Sequence, residues 1–231
     1  MNSSATTQLP RPTAILWDMD GTLIDQTSAI IRCYREVITE MGYPQPDDDA
    51  IRRSLGGVMA ATMGLFVEAE RMEEACRTFR LRFPEIMFEG LILLAGGKEL
   101  IERAYRAHIP QVLFTNKHGE TARKISRYAG FAKYIPICIG SADTEWHKPQ
   151  LALTQHVLDQ IEVSAEGSII IGDSPTDIAV AQNAGLSCYC VSTGAHSLEE
   201  LMQAGADAAF ASLIELGQAF KLLESSSPRN L

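Results

Sequence analysis

The stretch that decides the fold reads Ala14-Ile15-Leu16-Trp17-Asp18-Met19-Asp20-Gly21-Thr22. An apolar run typical of a buried strand ends here by presenting two carboxylates two positions apart. Like charges this close repel each other and raise each other's pKa. On its own, an Asp-x-Asp-Gly match is more often a turn or a helix cap, because Asp and Gly favour both. The pair indicates a metal, proton or reaction site only if other parts of the chain converge on it.

Short strand-like runs alternate with helix-like stretches over much of the chain. This alternation predicts a parallel β-sheet with helices on both faces, a Rossmann-like doubly wound α/β core. Ligands of such sheets bind at the carboxyl ends of the strands. The predicted strands are Thr13–Trp17, Gln111–Thr115, Ile135–Ile139, Ser168–Gly172, Leu186–Val191 and a weaker one at Ala208–Ala211, and the predicted helices are Gly97–Ala107, Gly119–Ala129, Pro149–Gln160 and Pro175–Ala184.

One region breaks the alternation, because residues 26–88 contain no convincing strand. It is typical of several helices, at Ser28–Met41, at Asp48–Ser54 and around Val67–Arg82. An all-helical insertion directly after the first strand predicts a second layer that covers the site, which we call the cap. The predicted division is a catalytic core of residues 13–25 and 89–222, a helical cap of residues 26–88, and flexible tails of residues 1–12 and 223–231.

Polar residues follow four of the predicted strands where each strand ends. Each cluster alone is a weak signal, but parallel strands bring their carboxyl ends to one edge of the sheet, so their side chains can meet. The four clusters are Asp18 with Asp20, Thr115-Asn116-Lys117, Lys148-Pro149, and Gly172-Asp173-Ser174-Pro175-Thr176-Asp177.

In these motifs and their order, the chain resembles the haloacid dehalogenase superfamily, in particular its members with a small helical cap after the first strand. The resemblance covers residues 13–222 and implies a phosphoryl-transfer enzyme. It implies that Asp18 is the nucleophile and that Asp20 is the general acid and base. It further implies a Mg²⁺ cofactor held by Asp18, the backbone carbonyl of Asp20, and Asp173.

The remaining motif residues are expected to bind the phosphoryl group or support the site. Lys148 supplies positive charge to the phosphoryl oxygens, and Thr115 and Asn116 complete the phosphate cradle. Asp177 supports the metal ligands or orients Lys148. Ordinary structural roles are the alternative for each residue alone: Thr115 as a strand end, Lys148 as a surface lysine, and Asp173 with Asp177 as helix-capping carboxylates.

Relatives within the superfamily differ in residues that this chain can be checked for. Dehalogenases lack an acid two positions after the nucleophile, whereas Asp20 stands here. Phosphonate-cleaving members use a cap lysine, and residues 26–88 contain none. Sugar phosphomutases carry a histidine twelve positions after the nucleophile, which is Ile30 here, and a cap-loop arginine where this chain has Gly57-Val58-Met59. A phosphatase resembling the phosphoglycolate phosphatase group remains, with phosphoglycolate as the leading substrate candidate.

Two alternatives stay open at this point. One is a sugar phosphomutase of the same superfamily. The other is a receiver-like phosphorylation switch without turnover, against which the helical insertion and Asp20 argue. The roles of Lys117, His118, Arg52 and Arg53 also stay open, since each is as typical of a solvated surface as of a substrate contact.

The bulk composition limits the partners. The chain has 231 residues and a net charge of −9, which argues against nucleic acid or an anionic membrane as a partner and leaves a small phosphorylated metabolite. We expect no membrane span and no secretory signal, because no apolar run is long enough. Five scattered cysteines without a Cys-x-x-Cys favour reduced thiols and a cytoplasmic protein.

Overall fold

A computed structural model describes residues 8–221 of the chain. Its main sheet has six strands in the order β5-β4-β1-β6-β7-β8, and every neighbouring pair is parallel. The strands are β1 (Ile15–Trp17), β4 (Gln111–His118), β5 (Cys138–Ser141), β6 (Ile169–Gly172), β7 (Ser187–Val191) and β8 (Ala208–Phe210), and a separate antiparallel pair joins β2 (Ile24–Asp25) to β3 (Ile92–Leu93).

The sheet is buried on both faces, as a parallel sheet requires. Alternate strand residues enter two different apolar clusters: Leu16, Val112 and Ile170 on one face, Ile15 and Trp17 on the other. Because successive side chains of a strand point to opposite faces, continuous apolar runs place buried side chains on both. The Rossmann-like α/β prediction is therefore confirmed.

Helices cover the two faces. Side chains of α7, α8 and α9 enter the cluster around Leu16, and side chains of α5, α6 and α10 enter the cluster around Ile15. The helices are α1 (Thr27–Glu40), α2 (Asp48–Ser54), α3 (Met59–Met63), α4 (Met72–Ile86), α5 (Gly97–Arg106), α6 (Gly119–Ala129), α7 (Leu151–Gln160), α8 (Pro175–Ala184), α9 (Leu198–Ala204) and α10 (Leu213–Ala219), with single 3₁₀ turns at Ala69–Arg71 and Phe131–Lys133.

Helices α1 to α4 form the layer predicted as the cap. Their interior includes Tyr34 of α1 against Phe79 of α4, with ring centroids 4.5 Å apart, and Phe79 stacks on Phe83 at 5.4 Å. The pair β2–β3 lies where the chain leaves the core for this layer and returns from it. The division into core and cap at residues 26–88 stays a prediction.

The structure differs from the predicted elements mainly at their ends. Strand β4 runs on to His118, because Thr115, Asn116 and Lys117 continue the extended backbone beyond the apolar run. Helices α3, α9 and α10 and the pair β2–β3 were not predicted, since each is too short to show a period.

The predicted tails lie mostly outside the described residues. Within the described part, the backbone N–H of Leu9 donates to the carbonyl of Ala219 at 2.9 Å, and Leu9 packs against the core. Leu9 is therefore attached to the final helix. Residues 1–7 and 222–231, Leu222 of the predicted core included, are outside the description. No helix within residues 8–221 is both long and apolar enough to cross a bilayer.

Candidate active site

Asp18, Lys148 and Asp177 form a buried ion triad at the carboxyl end of the central strands. Strand β1 ends in Asp18, and its neighbour β6 leads through Gly172 to Asp177 in the first turn of α8. The Lys148 ammonium lies between them, 2.6 Å from Asp18 Oδ1 and 2.7 Å from Asp177 Oδ1. The Lys148 side chain is 1% exposed, so water screens these ion pairs little.

Both carboxylate oxygens of Asp177 accept hydrogen bonds from other residues. Its Oδ2 accepts from the Ser174 hydroxyl at 2.7 Å and from the backbone N–H groups of Ser174 and Asp173 at 3.2 and 3.3 Å. Ser174 and Asp177 together form a capping box at the start of α8. A side chain at Gly172 would overlap the Asp177 carboxylate, which explains the glycine there. Of the roles predicted for Asp177, this geometry matches the orienting of Lys148.

Asp173 lies in a close-fitting backbone pocket. Thr22 Oγ1 donates to Asp173 Oδ1 at 3.2 Å, and any side chain at Gly21 or Gly194 would overlap the same carboxylate. Thr193 Oγ1 donates to the Gly21 carbonyl at 2.5 Å and so joins the loop after β7 to the loop after β1. Sequence reasoning missed this contribution of Thr193 and Gly194, because no polar motif marks the end of β7.

Burial dominates the protonation of the carboxylates. It raises the pKa of Asp18 to about 7, although Lys148 opposes the shift, and it raises the pKa of Asp173 well above the usual value. Burial alone would lower the pKa of Lys148, but Asp177 and Asp18 outweigh it and hold that pKa above the usual value. Lys148 is therefore cationic, and the carboxylates compete for the positive charge available.

The donor set fits a hard divalent cation. Carboxylate oxygens of Asp18, Asp173 and Asp177 lie within 4.8 Å of one another. Within residues 8–221, Asp18 Oδ2 forms no hydrogen bond and Asp173 accepts only from Thr22, whereas both Asp177 oxygens are occupied. Four carboxylates, counting Asp20, face two lysines, which leaves two negative charges to balance. Asp18 and Asp173 are thus the side chains free to bind a metal ion.

Asp20 and Lys117 form a second ion pair beside the triad. Lys117 Nζ lies 2.9 Å from Asp20 Oδ2 and 4.9 Å from the centre of the Phe83 ring of the cap. The other oxygen, Asp20 Oδ1, is buried and has no hydrogen-bond partner within residues 8–221. A buried acceptor of this kind is costly, so it marks a position where a ligand would gain binding energy. Sequence reasoning left the role of Lys117 open.

Thr115 and Asn116 differ in what they can offer a phosphate. The Thr115 hydroxyl accepts from the Lys117 backbone N–H at 3.2 Å, and it lines the pocket described below. The Asn116 side chain is engaged: it accepts from the Lys148 N–H at 2.9 Å and donates to the carbonyls of Lys148 and Gly56 at 3.2 and 3.1 Å. Asn116 thus joins the cap loop to Lys148, and its role as a phosphate ligand stays a prediction.

A pocket lies between the sheet edge and the helical layer. We call its two sides the core wall and the cap wall. His118 belongs to the core wall, whereas neither Arg52, which pairs with Asp49, nor Arg53, which lies 4.0 Å from Glu200, lines this pocket. The core wall consists of Asp18, Asp20, Thr115, Asn116, Lys117, His118 and Thr121, and the cap wall of Ile30, Tyr34, Leu55, Gly56, Gly57, Met59, Phe79, Arg80 and Phe83.

The fold and the site together define the class: an α/β enzyme with an acidic, lysine-balanced site beneath a helical layer. The family model of the haloacid dehalogenase-like hydrolases matches residues 15–191. The chain belongs to this family, as the resemblance of its motifs predicted.

Several relatives that match over most of the chain have phosphatase or nucleotidase names. A phosphoglycolate phosphatase of Rhodospirillum rubrum is 27% identical and matches over 89% of this chain and 90% of its own length. A 5'-nucleotidase of Pseudomonas aeruginosa is 32% identical over 81% of this chain and 86% of its own. The structure of CbbY from Rhodobacter sphaeroides in complex with phosphate aligns with a TM-score of 0.78 at 23% identity, over 91% and 99% of the chains. The family match and these names confirm the prediction of a haloacid dehalogenase-type phosphatase.

Proposed function

We propose that this enzyme hydrolyses a small phosphate monoester through an aspartyl-phosphate on Asp18, with Mg²⁺ as cofactor. The observation that carries the proposal is the state of the Asp18 carboxylate. Its Oδ1 accepts from Lys148, its Oδ2 accepts no hydrogen bond within residues 8–221, and the residue lines the pocket. A fixed carboxylate with one uncommitted oxygen is suited to in-line attack on phosphorus.

The proposed reaction has two halves. In the first, an Asp18 oxygen forms a bond to phosphorus while the ester oxygen leaves, and Asp20 gives that oxygen a proton. In the second, Asp20 takes a proton from a water molecule, which attacks phosphorus and releases inorganic phosphate and the Asp18 carboxylate. This role for Asp20 is supported by two observations: the residue lines the pocket, and its buried Oδ1 has no hydrogen-bond partner within residues 8–221.

Charge neutralisation accounts for anion binding by an acidic protein. Lys148 places a buried ammonium beside Asp18. Asp18, Asp173 and the backbone carbonyl of Asp20 would hold Mg²⁺, and Asp177 keeps Lys148 in place. When bound, Mg²⁺ supplies positive charge that offsets the carboxylates and the phosphoryl oxygens. Thr115 adds a hydroxyl at the same edge of the sheet.

Phosphoglycolate is the leading substrate, supported by the relatives of that name. The cap wall argues against the mutase alternative, because Ile30 occupies the position of the mutase histidine and lines the pocket with an apolar side chain. A receiver-like switch is disfavoured by Asp20, which offers a buried acceptor beside Asp18. A cytoplasmic location is supported by five free, buried thiols among the described residues.

The test is phosphate release from p-nitrophenyl phosphate by the wild type and by Asp18→Asn, with and without Mg²⁺. We expect Mg²⁺-dependent turnover by the wild type and a loss of about a thousandfold or more in the variant, because an amide is a poor nucleophile. Acid quenching during turnover should trap a phosphoryl group on the wild-type protein only. The matched control is Asp159→Asn, an exposed carboxylate on α7.

Turnover by Asp18→Asn at the wild-type rate would contradict the nucleophile assignment. Full activity after exhaustive removal of divalent ions would contradict the role of Mg²⁺. A stable phosphoprotein that never releases phosphate would support the receiver-like alternative instead.

A further inference from the structure

The ion pair with Asp20 does not use all the hydrogen-bond donors of the Lys117 ammonium. Its side chain is 8% exposed and its ammonium lies against the Phe83 ring, so it is almost removed from water. An ammonium has three N–H donors. Within residues 8–221, Asp20 Oδ2 at 2.9 Å is the acceptor that contacts it. Buried donors normally find acceptors, so the remaining donors indicate a place for a ligand group.

The position of the Lys117 ammonium beside Asp20 links it to the leaving group of a substrate. On the proposed function, Asp20 protonates the ester oxygen of the leaving group. Because Lys117 Nζ is 2.9 Å from the Asp20 carboxylate, the first atoms of the leaving group would lie beside Lys117. Asp20 Oδ1 and Lys117 together offer one unpaired acceptor and spare donors side by side. A ligand would engage both groups if its ester oxygen accepted the proton of Asp20 and an adjacent anionic group accepted hydrogen bonds from Lys117.

Resting on that proposed function, we propose that Lys117 determines specificity by binding a carboxylate one carbon away from the ester oxygen. The preferred substrates are then phosphate monoesters of 2-hydroxycarboxylates, of which phosphoglycolate is the smallest. The cap wall agrees with a short leaving group here: Phe83 covers the ammonium, and Phe79 and Tyr34 pack behind it. Because an apolar wall offers an anion no polar partner, an anion bound here would gain most of its binding energy from Lys117.

A second cation borders the same pocket and gives a matched comparison. Arg80 lies on α4, lines the cap wall and is exposed. It forms no ion pair or hydrogen bond within residues 8–221. Its exposure makes a bound anion better screened and more weakly held than at Lys117. Arg80 therefore serves as the comparison for the nearly buried lysine.

The experiment compares two substrates that differ only beyond the first carbon, 2-phosphoglycolate and 2-hydroxyethyl phosphate. With Mg²⁺ present, kcat/KM is measured for the wild type, Lys117→Met, Lys117→Gln, Arg80→Gln and Arg77→Gln. We expect the wild type to prefer phosphoglycolate by roughly 10- to 100-fold, the range of a hydrogen bond to a charged group. Both lysine variants should bring the ratio close to one, and Arg80→Gln should lower it by a smaller factor. Arg77→Gln, at an exposed arginine of α4 that does not line this pocket, is the control that should retain the ratio.

The ratio of the two kcat/KM values separates a change in specificity from a loss of general-acid function at Asp20. Loss of Lys117 also removes the partner of Asp20, but that effect acts on both substrates and cancels. A wild type without the preference, a preference that survives in a folded lysine variant, or a preference lost as fully in Arg80→Gln as in the lysine variants would each overturn the assignment. If the wild type hydrolyses neither ester nor p-nitrophenyl phosphate, the proposed function itself fails, which is a different result.

Discussion

The core wall of the site is polar and tightly bonded, whereas the cap wall is apolar and largely without ionic contacts. The Lys148 ammonium lies 2.6 Å from Asp18 Oδ1 and 2.7 Å from Asp177 Oδ1, and all three side chains are buried. Across the pocket, Tyr34, Phe79 and their neighbours present rings and aliphatic side chains. The comparison teaches that the sheet edge supplies most of the charged groups of the site, whereas the helical layer supplies most of its apolar surface.

The largest expected effect comes from removing the cation of the buried ion triad. Lys148→Met leaves Asp18 and Asp177 buried beside each other with no positive partner. We expect activity to fall about a thousandfold, as for a lost charge-stabilising donor, and the free energy of unfolding to fall by about 3–5 kcal/mol. Urea denaturation and phosphate release measure both effects.

The matched control for Lys148→Met is Lys124→Met. Lys124 pairs with Glu120 at 2.8 Å on α6 and is 41% exposed, so its loss should cost at most about 0.5 kcal/mol. Equal stability of the two variants would show that the buried triad does not hold the core wall together.

The second effect concerns the proposed acid. Asp20→Ala should slow hydrolysis by about a hundredfold or more, because the leaving oxygen is no longer protonated. The loss should be larger for alkyl phosphates than for p-nitrophenyl phosphate, whose leaving group needs less protonation. Initial rates for a series of esters measure this difference. A uniform loss across the series would remove Asp20 from the protonation step.

The third effect is the pH dependence of metal binding. The raised pKa values of Asp18, about 7, and of Asp173 mean that the folded metal-free protein retains protons that the unfolded chain loses above about pH 4. Its free energy of unfolding should therefore decrease as the pH rises from about 4 through 7. Mg²⁺ requires the charged carboxylates, so its stabilising effect should be larger at pH 8 than at pH 5.5.

Thermal unfolding midpoints with and without Mg²⁺ at the two pH values test this prediction. Asp173→Asn should reduce both the Mg²⁺ effect and its pH dependence. A Mg²⁺ effect that is the same at pH 5.5 and pH 8 would contradict the direction of these shifts.

The smallest effect belongs to the cap wall. Met59→Ala enlarges the apolar side of the pocket and should change the preference among phosphate esters by about tenfold or less, since an apolar pocket discriminates weakly. Turnover of p-nitrophenyl phosphate should change less than the preference does. Met202→Ala, on α9 and 48% exposed, is the control. A cap-wall variant that abolished all turnover would contradict the expectation that the cap wall has only a small effect on catalysis.

Much of the charged site at the sheet edge could be predicted from the sequence. Asp18, Thr115, Lys148 and Asp173 follow apolar runs, and parallel strands necessarily bring their carboxyl ends together. The contacts from loops without a motif could not be predicted. Gly194 lies against Asp173, and Thr193 donates to the Gly21 carbonyl, only because β7 lies beside β6. Asn116 donates to the Gly56 carbonyl only because the helical layer folds back over the sheet.

Local sequence by itself determined the order of strands and helices, the family and the acidic composition of the site, because period, turn chemistry and motif spacing are properties of neighbouring residues. Tertiary structure alone decided the pairing of charges. It assigned Lys148 to Asp18 and Asp177, and Lys117 to Asp20. Among the described residues it left Asp18 Oδ2 and Asp20 Oδ1 without hydrogen-bond partners. The physical reason is that an ion pair depends on distance and burial, and both arise only when segments far apart in the chain pack together.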